Sequence, residues 1–338
     1  MKPLLSILIP TFNRAEYLDR LLCELASQIN SSGLCEIIEV VIGNNSSVDN
    51  TSIVISSHLS SNTFFSCVTQ SSNIGAELNI LSLFDSSCGN FRWIIGDDDL
   101  PRPGLVNHVV NLLQINSPSL LYLPSKWATD ISVFNLGSIE DLVFSYSSRL
   151  KSANDLHIWV TFISSWVFNA EQFFSMFEDL HHLSELIGSN LLPIGWILPL
   201  LIQPKSRILI VEQPCILATS GNTGGYAVLQ TFMINYPKIV HSYTKSSPLI
   251  RAALIGNALR SYLPFLIVSV RRGSGFSDAG DCVGIFPSSL KLLWAYPSYW
   301  FFCIPALFLP LSLIKALSTV TKKIKRLTLN LLSLAALR

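Results

Sequence analysis

The sequence predicts an α/β protein: a mostly parallel, doubly wound sheet flanked by helices, then a helical, apolar and basic C-terminal region. Three observations carry this expectation. Short apolar runs alternate with amphipathic helical stretches through the first 125 residues, the pattern of repeated β-α units. Each run closes on a loop rich in Asn, Gly or Asp. Charge then changes sign along the chain. Residues 1–212 carry 10 Lys/Arg and 20 Asp/Glu, whereas residues 213–338 carry 13 Lys/Arg and only Asp278 and Asp281. The division expected is 1–125, 126–226 and 227–338.

The elements follow in order. Residues 4–10 are apolar and end at Pro10, which reads as a buried strand. Residues 14–29 place Leu18, Leu21, Leu22, Leu25 and Ile29 on one helix face. Residues 37–42 form a second strand with the loop Asn44-Asn45-Ser46-Ser47. Asp49 or Thr51 can cap a helix reaching about residue 58. Residues 64–69 are a third strand and 76–84 a helix. Residues 91–95 are the strand before Gly96-Asp97-Asp98-Asp99. Pro103 suits the first turn of a helix running to residue 115, and 119–123 is another strand. Sheets of this kind bind ligands beyond the carboxyl ends of their strands.

Three consecutive carboxylates raise one another's cost of ionisation. A divalent cation such as Mg²⁺ or Mn²⁺ would neutralise them and bridge to substrate phosphates. A solvated acidic turn is the plainer alternative.

Beyond residue 125 the pattern loosens. Residues 158–168 read as a strand, 171–182 and 185–201 as helices, and 207–211 as a late strand. The glycine-rich stretch 220–226 lacks the spacing and lysine of a phosphate-binding P-loop; it reads as a connector or a lid. Trp159, Trp166 and Trp196 suit an aromatic core or sugar stacking. His157, His181 and His182 show no metal-ligand spacing. Residues 292–314 contain 23 consecutive uncharged residues, interrupted by Pro297, Pro305 and Pro310. Lys315, Lys322, Lys323, Lys325 and Arg326 follow, which suits the inner face of an anionic membrane. A broken, shallowly inserted helix pair, a span and a buried core are the readings of this stretch. The seven cysteines are scattered without a C-x-x-C, which favours free thiols over a disulfide framework or zinc site. Residues 4–10 are too short for the apolar core of a signal peptide, so no secretory leader is expected.

The motifs together resemble the inverting nucleotide-sugar glycosyltransferases of family 2. Residues 6–14, SILIPTFNR, resemble that family's opening strand and Pro-Thr-aromatic-Asn-Arg turn. Residues 39–51, EVVIGNNSSVDNT, resemble its second strand and loop, and Asn73-Ile74-Gly75 its Asn-x-Gly turn, with Asn79 beyond. Gly96-Asp97-Asp98-Asp99 resembles its metal-binding Asp-x-Asp, in a form associated with deoxysugar transferases of the abequosyltransferase type in O-antigen assembly.

The resemblance implies a GT-A, Rossmann-like fold. It also implies that Pro10, Thr11 and Asn13 line a nucleotide pocket, with Asn44 and Asn45 beside it. Asn73 and Gly75 would shape the ribose and base wall. Asp97 and Asp98 would face ribose and diphosphate, and Asp99 would hold Mg²⁺ or Mn²⁺. Asn44 stands where the family often has a base-contacting Asp, which leaves the base open. Plain turn chemistry is the alternative role for Asn13, Asn44, Asn45 and Asn73.

The activity so implied is metal-dependent, inverting transfer of a sugar from a nucleoside-diphosphate donor to a lipid-linked saccharide. It would take place at the cytoplasmic membrane face, with the protein peripheral or monotopic there and no nucleic-acid partner. Departure of the diphosphate needs charge stabilisation, and the acceptor hydroxyl needs a base on the opposite sugar face. The family's Glu-Asp pair is missing. Glu185 is the nearest carboxylate and Asp155 a second; a helix N-terminal acid is the alternative role for Glu185. Nucleotidyl transfer to a sugar phosphate and non-catalytic nucleotide-sugar binding are the competing functions.

Overall fold

The computed structural model describes residues 2–128, 139, 142–177, 179–219, 227–273 and 282–315. The chain divides into two compact units, residues 1–222 with 239–254, and residues 223–238 with 255–338.

The first unit is built on an eight-stranded sheet. Its strands are β1 (Leu5–Thr11), β2 (Ile38–Asn44), β3 (Phe65–Thr69), β4 (Phe91–Ile94), β6 (Leu120–Tyr122), β8 (Phe144–Ser147), β9 (Trp166–Asn169) and β10 (Ile208–Val211), in the order β3-β2-β1-β4-β9-β6-β10-β8. A small sheet joins β5 (Leu100–Pro101), β11 (Ile216–Thr219) and β7 (Ser125–Ala128) in the order β5-β11-β7. The β3-β2-β1-β4 block is parallel, as expected, and β6 and β10 are parallel to each other. β9 enters antiparallel between β4 and β6, and β8 closes the edge antiparallel.

Helices α1 (Ala15–Ser31), α2 (Thr51–Ser61), α3 (Ala76–Asp85) and α4 (Leu105–Asn116) alternate with these strands. Leu18, Leu21, Leu22, Leu25 and Ile29 of α1 are fully buried against Ile7, Ile9, Val40 and Ile42 of the sheet. Each such side chain contributes about 1.5–3 kcal/mol of burial. The N-cap of α2 is Asn50, in place of Asp49 or Thr51, and makes no side-chain cap hydrogen bond; Asp49, one residue earlier, accepts from the Thr51 backbone at 3.0 Å. Pro103 lies outside α4: Gly104 is the N-cap, in the left-handed region at φ 86°. A left-handed residue cannot continue a right-handed helix, so the start shifts beyond the proline.

The later elements depart further from expectation. Residues 157–165 form two 3₁₀ turns, and only Trp166–Asn169 is strand. α5 (Arg149–Leu156) precedes them. The two predicted helices reduce to α6 (Ala170–Phe174), α7 (His181–Ser184) and α8 (Ile194–Ile202). Gly188 and Asn190, both at positive φ, break the intervening chain. Trp166 and Trp196 are core residues, with Trp196 stacked on Phe168 at 5.9 Å between ring centroids.

After β11 the chain continues through α9 (Tyr236–Tyr243) and α10 (Pro248–Asn257) to α11 (Leu263–Arg271), α12 (Phe286–Leu293) and α13 (Ile304–Phe308). Three π-helical turns, Gln230–Asn235, Ala258–Tyr262 and Tyr299–Cys303, each end two residues before a proline: Pro237, Pro264 and Pro305. Proline removes a backbone donor and clashes with the carbonyl four residues back, and a widened turn relieves both. Residues 292–314 therefore hold the end of α12, a ten-residue apolar helix, Tyr299–Phe308, and a short helical segment from residue 311, in place of one continuous helix. At 1.5 Å per residue Tyr299–Phe308 reaches about half of a roughly 30 Å hydrocarbon core. Among the described residues, the helical run with the length and apolarity to cross a membrane is Pro248–Arg271, 24 residues with half its apolar window buried in protein. Lys322, Lys323, Lys325 and Arg326, and the stretch 220–226, lie outside the described residues.

Candidate active site

The site forms where β1, β2 and β4 end. Strand register explains its first contact. Leu8 pairs with Ile94 in parallel register, and Thr11 and Asp97 each stand three residues further along. The Thr11 hydroxyl donates to Asp97 Oδ2 at 2.7 Å. Arg14, the residue before α1, turns back over the strand ends. Its Nη1 lies 3.0 Å from Asp97 Oδ1 and 2.9 Å from Asp98 Oδ2. Burial alone would lower the Arg14 pKa, but the charges of Asp97 and Asp98 outweigh it and hold the guanidinium protonated. Part of the aspartates' mutual repulsion is therefore offset by the chain's own cation.

Asp99 is positioned from elsewhere. The Ser164 hydroxyl donates to Asp99 Oδ2 and itself accepts from the Gly96 backbone at 2.9 Å. The Thr219 backbone donates to Asp99 Oδ1 at 3.3 Å, and the Thr219 hydroxyl donates to the Asp98 carbonyl at 2.6 Å. The indole of Trp93 fixes Ser164 through its carbonyl at 2.8 Å. Asp97 is 6% exposed and Asp99 4%. Burial pushes their carboxyls up, to about 6 for Asp97 and about 7 for Asp99.

Oxygen donors converge beside Gly96. A Cβ placed there would stand 3.2 Å from Asp98 Oδ1, 3.2 Å from Asp99 Oδ2 and 3.6 Å from Ser164 Oγ. Two carboxylate oxygens from neighbouring residues thus face one small space that only a missing side chain leaves open. Each carboxylate oxygen has a lone pair beyond its hydrogen bond. An all-oxygen set of one or two carboxylates, completed by substrate phosphates and water, fits Mg²⁺ or Mn²⁺.

The asparagines build the neighbouring loops. Asn13, at φ 52°, accepts from the Val48 backbone at 2.8 Å, and its own N–H donates to Ser47 Oγ at 3.0 Å. Asn44 Oδ1 accepts from the Ser47 backbone at 3.0 Å and its amide donates to Ser52 Oγ at 3.2 Å. Asn45 donates to Asn73 Oδ1 at 2.9 Å and accepts from the Ile74 backbone at 2.9 Å. Gly75, at φ 86°, donates to Asn73 Oδ1 at 2.9 Å, and Asn79 donates to the Gly43 carbonyl at 2.7 Å. Turn chemistry therefore accounts for the contacts of Asn13, Asn44, Asn45 and Asn73. Pro10 is half-buried opposite Gly43.

The remaining candidates lie on other elements. Glu185 follows the last turn of α7 instead of opening a helix; its electrostatic neighbours are His182 and Tyr243, and its carboxylate makes no ion pair among the described residues. Asp155 is exposed and pairs with Lys151 at 2.7 Å. Three site residues escaped the sequence reading. Arg14 sat inside a recognised motif without a role, Ser164 inside an expected strand, and Thr219 just before the glycine-rich stretch.

With the geometry in hand, residues 6–141 match the family model described as Glycosyl transferase family 2. Over 160 residues the chain is 35% identical to abequosyltransferase RfbV of Salmonella typhimurium strain LT2, a match covering 46% of this chain and 44% of that protein. The chain thus spans less than half the length of this curated relative. Crystal structures of S. aureus TarS 1–349 superpose with a TM-score of 0.58 at 14% identity, covering 87% of this chain and 79% of that one. The UDP complex gives a TM-score of 0.59 at the same identity and coverage, and the UDP-GlcNAc complex 0.58, covering 80% of that chain. The fold therefore has the GT-A arrangement expected from the motifs.

Proposed function

We propose that the protein is a divalent-metal-assisted, inverting glycosyltransferase. It moves a sugar of the deoxysugar class from a nucleoside-diphosphate donor to a lipid-linked saccharide acceptor in surface polysaccharide synthesis. The observation that carries this reading is the convergence of Asp98 Oδ1 and Asp99 Oδ2 beside Gly96, at the strand ends of the region that matches the family 2 model. The name of the abequosyltransferase relative supports the deoxysugar and the saccharide acceptor. The UDP and UDP-GlcNAc complexes of TarS support a nucleotide-sugar donor.

The chain's own groups divide the work. Thr11 and Arg14 hold Asp97 and Asp98 in one orientation, and Ser164 with Thr219 holds Asp99. Such preorganised groups act without rearranging as charge develops. A bound Mg²⁺ or Mn²⁺, held by Asp99 with Asp98, supplies Lewis-acid stabilisation of the departing diphosphate. Pro10, Asn13, Asn44, Asn45, Asn73 and Gly75 form the loops against which the nucleoside rests. Glu185 is the base assigned to the acceptor hydroxyl, which attacks from the face opposite the leaving group.

Unit two supplies the membrane contact. It exposes Trp294, Trp300, Phe301, Phe302 and Phe308, and the sequence that follows them is basic. Aromatic and basic residues together suit an anionic cytoplasmic lipid surface.

The test is turnover of a panel of UDP-, GDP-, CDP- and dTDP-sugars with extracted lipid acceptors, with and without Mn²⁺. Release of nucleoside diphosphate with a glycosylated lipid supports the reading. Pyrophosphate from a nucleoside triphosphate and a sugar phosphate would replace it with nucleotidyl transfer. Binding without turnover of any donor would leave a non-catalytic nucleotide-sugar-binding protein.

A further inference from the structure

The outer faces of α1 and α2 carry a second group of ligand atoms, made of different chemistry from the aspartate cluster. Asp19 and Cys23 lie one helical turn apart on α1, which puts them on the same face. His58 projects from the last turn of α2 toward both. Its Nε2 is 2.8 Å from Asp19 Oδ1 and 3.9 Å from Cys23 Sγ, and Cys23 Sγ is 4.0 Å from Asp19 Oδ1. The imidazole edge packs on Phe65, with ring centroids 5.9 Å apart and planes at 88°, which orients the ring. Among the described residues, this is the one set of three His, Cys or carboxylate groups whose ligand atoms all lie within 4.8 Å.

Those dimensions suit a tetrahedral ion. With metal–sulfur near 2.3 Å and metal–nitrogen or –oxygen near 2.0–2.1 Å, the ligand atoms of a tetrahedral zinc site stand roughly 3.3–3.6 Å apart. Side-chain movements of about half an ångström close the difference. We propose that Asp19, Cys23 and His58 bind one borderline-soft divalent cation of the zinc class, with water as fourth ligand. Thiolate and imidazole select such ions over Mg²⁺ and Mn²⁺, which prefer oxygen. Burial and the Asp19 charge hold the Cys23 thiol above its ordinary pKa, so the free protein carries it protonated. Metal binding releases that proton to solvent.

The ion would staple α1 to α2. These helices begin at the loops that shape the candidate active site: the Arg14 backbone donates to Thr51 Oγ1 at 3.3 Å and the Ala15 backbone to Asp49 at 3.2 Å.

The test is zinc uptake by the full-length protein, measured by elemental analysis after gel filtration, with Co²⁺ absorption as the spectroscopic readout. One equivalent of zinc, and a thiolate-to-cobalt charge-transfer band, are expected. Cys23→Ser and Cys23→Ala should each abolish the band. His58→Gln should weaken zinc binding by at least about 10-fold. Asp99→Asn should leave the band unchanged, since Asp99 belongs to the other cluster. Circular dichroism of each variant shows whether it is folded. No zinc uptake at micromolar concentration, or a band that survives in folded Cys23→Ser, overturns the proposal.

Discussion

The Arg14 guanidinium sits between Asp97 and Asp98, within 3.0 Å of one carboxylate and 2.9 Å of the other. A residue from the first loop of the chain thus balances charge on the fourth strand's end, 83 positions later. This arrangement offsets part of the repulsion between Asp97 and Asp98 while leaving Asp98 Oδ1 and Asp99 Oδ2 turned toward Gly96.

Arg14→Ala should cost about 1–3 kcal/mol in stability, because buried carboxylates lose their partner. Protonation of Asp97 softens the loss at low pH. Chemical denaturation at pH 8 and pH 5 should therefore give a larger deficit at pH 8. An equal deficit at both values would show that the pair is not what the substitution removes.

Gly96→Ala tests the space itself. Its φ is ordinary, so backbone strain is not at issue; the new methyl would stand 3.2 Å from both carboxylate oxygens. Stability should change by under about 1.5 kcal/mol. Mn²⁺-dependent donor binding, followed by calorimetry, should fall at least about 10-fold, which corresponds to roughly 1.4 kcal/mol. Wild-type binding in Gly96→Ala would move the cation elsewhere.

The pH dependence has a defined sign. The ordinary carboxylate value is 3.8, and burial raises Asp97 to about 6 and Asp99 to about 7. From pH 4 to 7 the folded chain thus holds protons that the unfolded chain has released. These two groups then make stability fall as pH rises through that window, and their contribution is full below it. Metal affinity runs the other way, because the ligand must be ionised. With a carboxyl near 7, Mn²⁺ affinity should drop roughly 30-fold between pH 8 and pH 5.5. A flat calorimetric profile would contradict this.

Gly89→Ala is the strongest stability prediction. Its Cβ would meet Ser6 Oγ, and would stand 2.7 Å from the Ser6 backbone nitrogen and 3.0 Å from the Leu5 carbonyl carbon. Backbone of the central strand β1 cannot yield cheaply. A loss of about 3 kcal/mol is expected from urea denaturation, against almost none for an alanine at the open Gly256.

The exposed aromatics of the second unit lead to a prediction of membrane binding. Phe301 is 75% exposed and Trp300 46%. Replacing both by Ser should reduce co-sedimentation with anionic vesicles at least about 10-fold, since each side chain contributes about 1.5–3 kcal/mol on burial. Unchanged sedimentation would assign the contact to another surface.

Much of the first half was legible in the chain. Leu18, Leu21, Leu22, Leu25 and Ile29 declare a helix by spacing, because one face of a 3.6-residue period must be apolar to pack. Strands β1 to β4 declare themselves as apolar runs closed by turn residues, and local chemistry sets both features. Direction was invisible: β9 is buried on both faces, so its residues look the same whether it runs with its neighbours or against them. The small sheet was missed because β5 has only two residues and no periodicity to detect.

The same division holds for the site. Sequence alone determined the aspartate triplet, the asparagine loops and their order, since each is a local turn or strand end. Only the tertiary structure decided which groups surround them. Arg14, Ser164 and Thr219 reach the aspartates from 14, 164 and 219 positions into the chain. Such contacts depend on strand register and crossover, which long-range packing fixes and short-range pattern does not encode.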